Sequence, residues 1–192
     1  SELEDLRMKM GMLFQSNALF YDWTVFENIA FPIRYHYSMP ESVLQNIVML
    51  KLDAVGLRGT NELMPSQLSG GMARRVALAR AITMDPQFLI YDEPFTGQDP
   101  VTKSNLKYLM KRIREKNKVS SITVSHDIRD LSEVVDKMVV LKEGKIVAEG
   151  SADEIMHSKD PDVALFIQGE SELKQAMSDK SLMEELVEGG NA

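Results

Sequence analysis

The sequence predicts an α/β fold, a parallel sheet with helices on both faces. Three observations carry this expectation. Short continuous apolar runs at residues 10–14, 87–91 and 121–124 read as buried strands. Amphipathic stretches long enough to be crossover helices separate them. Chemistry-bearing residues fall at the end of each run, Gln15, Asp92-Glu93 and His126, where ligands sit on parallel sheets.

In order along the chain, residues 2–8 read as helix, and the run 10–14 stops at the polar turn Gln15-Ser16-Asn17. Residues 23–29 open a helix that Pro32 limits. Pro40-Glu41 start a stronger one, with Val43, Leu44, Ile47, Val48, Leu50 and Leu52 as a wide apolar stripe and Gly56 as its stop. Pro65-Ser66 is a loop, and residues 70–84 form a helix that breaks at Asp85-Pro86. Residues 101–116 are amphipathic, with Leu106, Leu109, Met110 and Ile113 on one face. Residues 127–135 read as a short helix, and Glu143-Gly144 marks a hairpin between 137–141 and 145–149. The tail beyond Ser151 reads as helical and acidic, with Leu173, Met177, Met183 and Leu186 as a weak apolar face that could dock on a neighbouring subunit.

Composition narrows the function. The 192 residues are 44% hydrophobic and 27% charged, ordinary for a globular domain. With 29 acids against 22 bases the formal net charge is −7, which argues against non-specific nucleic-acid binding. There are no cysteines, so disulfides and thiolate metal sites are excluded. No run of roughly 20 apolar residues offers a membrane span. The chain opens on Ser1 in what reads as mid-protein helix, which leads us to expect the C-terminal portion of a longer protein.

Two segments carry chemistry. Asp92 ends an apolar strand and faces a ligand crevice, which suits contact with magnesium, an ion that takes oxygen ligands and keeps several waters. Glu93 beside it can polarise a water for attack on a γ-phosphate. Ser69 can cap the helix after it, and Gly70 and Gly71 let a phosphate approach free backbone N–H groups. His126 can hydrogen-bond a phosphate oxygen or the attacking water, and Gln15 can ligate magnesium through its amide. Together these point to nucleotide hydrolysis, although the sequence contains no GxxxxGK[ST] loop.

In order and spacing, these segments resemble the ATP-binding subunits of ABC transporters. Leu13-Phe14-Gln15 matches the Q-loop and Leu68-Ser69-Gly70-Gly71-Met72 the family signature. Residues 88–94 match the Walker B strand with its catalytic glutamate, Gly97-Gln98-Asp99 the D-loop, and His126 the switch histidine. Residues 13–20, 68–82 and 92–100 further resemble the ATPases of the Mla phospholipid-transport type, where Gln98-Asp99-Pro100 replaces the commoner Ser-Ala-Leu-Asp.

The resemblance implies a P-loop NTPase fold, a partial parallel sheet with an inserted helical subdomain. Residues 1–15 and 82–150 would form the RecA-like core, 16–81 the helical subdomain, and 151–192 a C-terminal helical extension. It further implies ATP and Mg2+ as cofactors and a homodimer in which two subunits face each other head to tail. Ser69, Gly70, Gly71 and Asp99 would then contact nucleotide held by the partner. Asp92 and Gln15 would serve magnesium in their own site, Glu93 would be the general base, and His126 would contact the γ-phosphate. A membrane permease would engage residues 16–81, placing the protein in the cytoplasm, peripheral on the inner membrane, to power phospholipid transport for outer-membrane lipid asymmetry. ABC ATPases that act on DNA or ribosomes usually carry two cassettes, coiled coils or basic linkers, which this chain lacks. The alternative is a non-catalytic fragment that binds partners: one phosphate-stabilising donor is worth about 3–4 kcal/mol, and the sequence lacks a whole phosphate-binding loop.

Overall fold

Strand β2 (Phe88–Asp92) lies between β1 (Met10–Leu13) and β3 (Ser120–Val124), parallel to both. The computed structural model describes residues 2–164 and 167. Helix α1 (Glu2–Met8) precedes β1, and α2 (Val25–His36), α3 (Glu41–Ala54), a 3-10 turn (Pro65–Gln67) and α4 (Gly70–Ala81) fill the crossover to β2. Helix α5 (Pro100–Asn117) fills the crossover to β3. The expected α/β class with a parallel sheet and an intervening helical segment is therefore observed. The chain divides into two units at His126/Asp127, and the second holds α6 (Ile128–Ser132), β4 (Lys137–Lys142), β5 (Lys145–Ser151) and α7 (Ala152–Met156). The residues Leu173, Met177, Met183 and Leu186 lie outside the described part of the chain.

The sheet is asymmetric in its first unit. Leu13, Leu89 and Tyr91 share one face and are at most 2% exposed. On the other face Met10, Phe88, Ile122 and Val124 are all exposed. Helices on both faces were expected, and so was burial of residues 121–124. Among the described residues the helical cover is on one face, and β3 pairs on one side only. An apolar run cannot distinguish a doubly covered strand from a singly covered one.

On the covered face Gly11 fixes the approach of α4. A Cβ there would sit 2.1 Å from the Ala81 carbonyl oxygen, so the end of the helix rests directly on the strand backbone.

Helix α2 departs from expectation at Pro32, which sits inside the helix and does not end it. Proline costs the helix a backbone bond and about 3 kcal/mol. Burial of Val25, Ile29, Ala30 and Ile33 offsets this. A complete capping box also secures the N-terminus: Glu27 N–H donates to Thr24 Oγ1 at 3.2 Å, and Thr24 N–H donates to Glu27 Oε2 at 2.7 Å. The fully buried Asn28 accepts from Phe20 N–H at 2.8 Å and donates to the carbonyls of Phe20, Trp23 and Thr24, pinning the preceding loop to the helix.

In α3 the buried stripe is narrower than expected, Leu44, Val48 and Leu52, because Val43 and Leu50 point to solvent. Gly56 does end it, with φ +69°. Helix α4 stops at Ala81 instead of residue 84, and α6 covers only Ile128–Ser132 of the expected 127–135.

The hairpin is where the sequence placed it: Glu143 and Gly144 both have positive φ, the conformation a two-residue turn of this kind needs, and Lys142 pairs with Lys145. Ile128, Met138, Val140, Ile155 and Val163 form the core of the second unit. No helix among the described residues is long and apolar enough to cross a membrane.

The Gly11 contact makes a direct prediction. Gly11→Ala should destabilise the fold by about 3 kcal/mol, since backbone faces the added methyl and cannot yield as a side chain would. Thermal melts of the two proteins measure the difference, and an unchanged midpoint would show that α4 shifts at no cost.

Candidate functional site

Parallel pairing brings the strand ends together. In register, Leu13 pairs with Tyr91 and Asp92 with Val124, so Gln15, Asp92-Glu93 and His126 lie along one edge of the sheet. Glu93 leaves the strand with φ +45°, a left-handed conformation that strains a non-glycine residue, while its N–H donates to the Val124 carbonyl at 2.9 Å.

The turn aims the Glu93 carboxylate at His126. The backbone N–H of His126 donates to Glu93 Oε1 at 3.0 Å, and His126 Nδ1 lies 2.9 Å from the same oxygen. Thr96 Oγ1 donates to Oε2 at 2.8 Å. Burial pushes the Glu93 carboxyl up, but the hydrogen bonds from His126 and Thr96 and the His126 charge together outweigh it and hold the group below the usual glutamate value. The Glu93 side chain is 16% exposed, while the His126 ring is 67% exposed.

Asp92 is half-buried and Gln15 exposed at the same edge. Among the described residues no cluster of three or more His, Cys, Asp or Glu forms a cage for a metal ion. One carboxylate with an amide nearby fits magnesium held partly by nucleotide phosphates and water.

The signature residues form a second cluster. Ser69 caps α4, accepting from Met72 N–H at 3.2 Å. A Cβ at Gly70 would meet nothing within 4 Å, so the backbone there is open to an approaching group. A Cβ at Gly71 would lie 2.9 Å from Thr102 Cγ2, so this glycine seats the start of α4 against α5. Asp99 caps α5, accepting from the N–H groups of Val101 and Thr102, both at 3.0 Å, and from the Thr102 hydroxyl. The Thr102 bonds hold its carboxyl below the usual aspartate value. A cavity of about 80 Å³ lies between the two helix starts, lined by Ser69, Gly71, Arg74, Arg75, Thr102 and Asn105 among others.

Two features were not singled out in the sequence. Thr96 anchors the Glu93 carboxylate, and only its spacing of three after a strained glutamate hints at this. Arg74 and Arg80 read as helix formers, yet both reach the loop that carries Gln15.

The family model for ABC transporters matches residues 1–96, half of the chain. The chain belongs to the ABC transporter family. It is 50% identical over 171 residues to the intermembrane phospholipid transport system ATP-binding protein MlaF of Haemophilus influenzae, a match covering 89% of this chain and 65% of that protein. It is 48% identical over 169 residues to MlaF of Escherichia coli K12, covering 88% and 63%. It is 38% identical over 168 residues to the probable ribonucleotide transport ATP-binding protein mkl of Mycobacterium tuberculosis H37Rv, covering 88% and 47%. The chain thus spans under two thirds of the length of the MlaF proteins it matches. Among solved structures, cbiO1 of Clostridium perfringens, part of the ABC transporter complex cbiONQ, aligns with a TM-score of 0.75 at 27% identity, covering 90% of this chain and 70% of that one.

The Thr96 contact gives a pH prediction. Because the Glu93 carboxyl is depressed on folding, its ionised form stabilises the fold above the unfolded pKa, and this contribution is lost as pH falls through the folded pKa. Thr96→Val removes one lowering bond. The variant should therefore melt below wild type at neutral pH, with the gap narrowing as the solution is acidified. A gap that is constant across pH would assign the loss to packing alone.

Proposed function

We propose that this chain is part of an ATP-hydrolysing, Mg2+-dependent subunit that powers phospholipid transport for outer-membrane lipid asymmetry. The observation that carries the reading is Glu93 at the end of β2, held by His126 and Thr96 beside Asp92. Glu93 is the general base: its carboxylate accepts a proton from the water attacking the terminal phosphate once Oε1 gives up its His126 contacts. His126, freed, turns its ring to the γ-phosphate. Asp92 and Gln15 orient the magnesium-bound end of the nucleotide, and the ion when bound neutralises charge on the phosphates.

The reading also takes the protein as a homodimer. The open backbone at Gly70 and the helix cap at Ser69 support their contacting nucleotide held by a partner subunit, with Asp99 capping the neighbouring helix start. The 50% and 48% identities to proteins named for intermembrane phospholipid transport support the substrate.

A membrane permease subunit is proposed to engage residues 16–81, with the protein cytoplasmic and peripheral on the inner membrane. That segment carries an aromatic cluster in which Phe20 packs at a tilt against Trp23, ring centres 4.5 Å apart, and edge to face with Phe31 at 5.1 Å, with Tyr35 74% exposed. The absence of a GxxxxGK[ST] segment from these 192 residues favours a second reading for the chain taken alone, a partner-binding piece that turns over little ATP.

Two experiments test these readings. Glu93→Gln in the full-length protein should lower ATP turnover by about a hundredfold or more while nucleotide binding persists, measured by phosphate release and equilibrium binding. Unchanged turnover would remove Glu93 as the base. Tyr35→Ser should weaken co-purification with the membrane subunit while leaving the melting temperature within about 1 °C, as expected for an exposed side chain. Undiminished co-purification would move the interface elsewhere.

A further inference from the structure

The loop after β1 is strained and held from outside. Asn17 and Ala18 are consecutive non-glycine residues in the left-handed region, with φ +66° and +48°. Non-glycine residues in this region are strained and persist only where their surroundings impose them. Here the surroundings are two guanidinium groups from α4. Arg74 Nη1 donates to the carbonyls of Phe14 at 3.0 Å and Gln15 at 2.9 Å. Arg80 donates to Ala18 at 2.7 Å through Nη1 and to Asn17 at 2.8 Å through Nη2. Arg80 also lies over the Phe20 ring, 5.8 Å from its centroid.

Arg74 is 3% exposed, and its hydrogen bonds end on backbone carbonyls. Burying a guanidinium without a carboxylate beside it is expensive, and a plain helix position does not require it. The contacts have a geometric effect. Bonds to carbonyls fix backbone, so they place Gln15 whatever its side chain is doing. The same helix begins at Ser69-Gly70-Gly71 and runs for about 18 Å at 1.5 Å per residue.

We propose that Arg74 and Arg80 are positioning residues that tie the loop to the helix bearing Ser69-Gly70-Gly71, Arg74 at the Phe14 and Gln15 carbonyls and Arg80 at the Asn17 and Ala18 carbonyls just beyond, so that a shift of α4 on nucleotide contact carries the loop and Gln15 with it. The inference rests on the reading of Gln15 as a magnesium-side residue and of Ser69-Gly70-Gly71 as a nucleotide contact. At position 80 arginine is required because its planar fork reaches two carbonyls through two nitrogens, Nη1 and Nη2, which an ammonium group cannot do with the same geometry.

The test uses the full-length protein and Arg80→Lys, which keeps the charge and the long stem. Two readouts are taken. In amide hydrogen exchange, residues 16–20 should exchange about tenfold faster in the variant, with the β2 amides unchanged. Unchanged exchange at 16–20 would overturn the proposal. In turnover, Arg80→Lys should lower kcat about tenfold with little change in KM for ATP, and should add little when Gln15 is already alanine. Effects that multiply across the double mutant would show that Arg80 acts otherwise than through Gln15. If Gln15→Ala alone leaves turnover unchanged, the Gln15 reading fails and the coupling fails with it. If Glu93→Gln leaves turnover unchanged, the proposed base is wrong, and the exchange readout, which needs no turnover, still decides whether the arginines hold the loop. Arg74→Lys is a second variant for exchange, kept secondary because the buried site tolerates less change.

Discussion

The site depends on one constraint, the position of β2 between two parallel neighbours. Parallel strands all end on the same side, so a residue just past β1, two at the end of β2 and one past β3 are brought to one edge. No loop has to find these residues by folding toward them. Parallel pairing also forces long crossovers, and the crossover from β1 to β2 is where α2, α3 and α4 are housed. Helix α4 can return close to the sheet because Gly11 presents no side chain to the Ala81 carbonyl. The geometry that collects the strand-end groups thus also fixes the helix whose other end carries Ser69, Gly70 and Gly71.

Much of this was legible in the sequence, for identifiable reasons. Apolar runs bounded by polar residues located β1, β2 and the hairpin, because strand burial and turn chemistry are local signals. Ser69 as a helix cap and Gly56 as a helix stop were legible for the same reason. Pro32 was misleading because local propensity speaks against it, while the packing of Val25, Ile29 and Ile33 is set by the tertiary fold. Exposure of β3 was invisible because Ile122 and Val124 are apolar whichever side of the sheet they face. In the site, residue identities at strand ends were readable, but Thr96 on Glu93 and the arginines on the Gln15 loop were not. The guanidinium bonds join residues about 60 positions apart, with no sequence period to announce them.

Backbone strain shows where this fold departs from ordinary geometry. Among the described residues, six non-glycine positions have positive φ: Asn17, Ala18, Asp85, Glu93, Lys118 and Glu143. Lys118 ends α5, Glu143 turns the hairpin, and Asp85 precedes Pro86 at the break after α4, so all three serve chain reversal. Asn17, Ala18 and Glu93 differ, because they follow β1 and β2 at the edge where the chemistry collects. Each is held by bonds from distant sequence: Arg80 on Asn17 and Ala18, and the Val124 carbonyl and His126 on Glu93. A strained loop held by a few directional bonds has two natural states, bonds made or bonds exchanged. For Glu93 the exchange is chemically specific. While His126 donates to Oε1 the carboxylate is a weaker base than an ordinary glutamate, and removing those contacts raises its proton affinity at the moment a water can take their place. On the proposed reading of Glu93 as the base, its contact with His126 holds that base in check, and release of the contact would couple basicity to the arrival of a group that attracts the histidine.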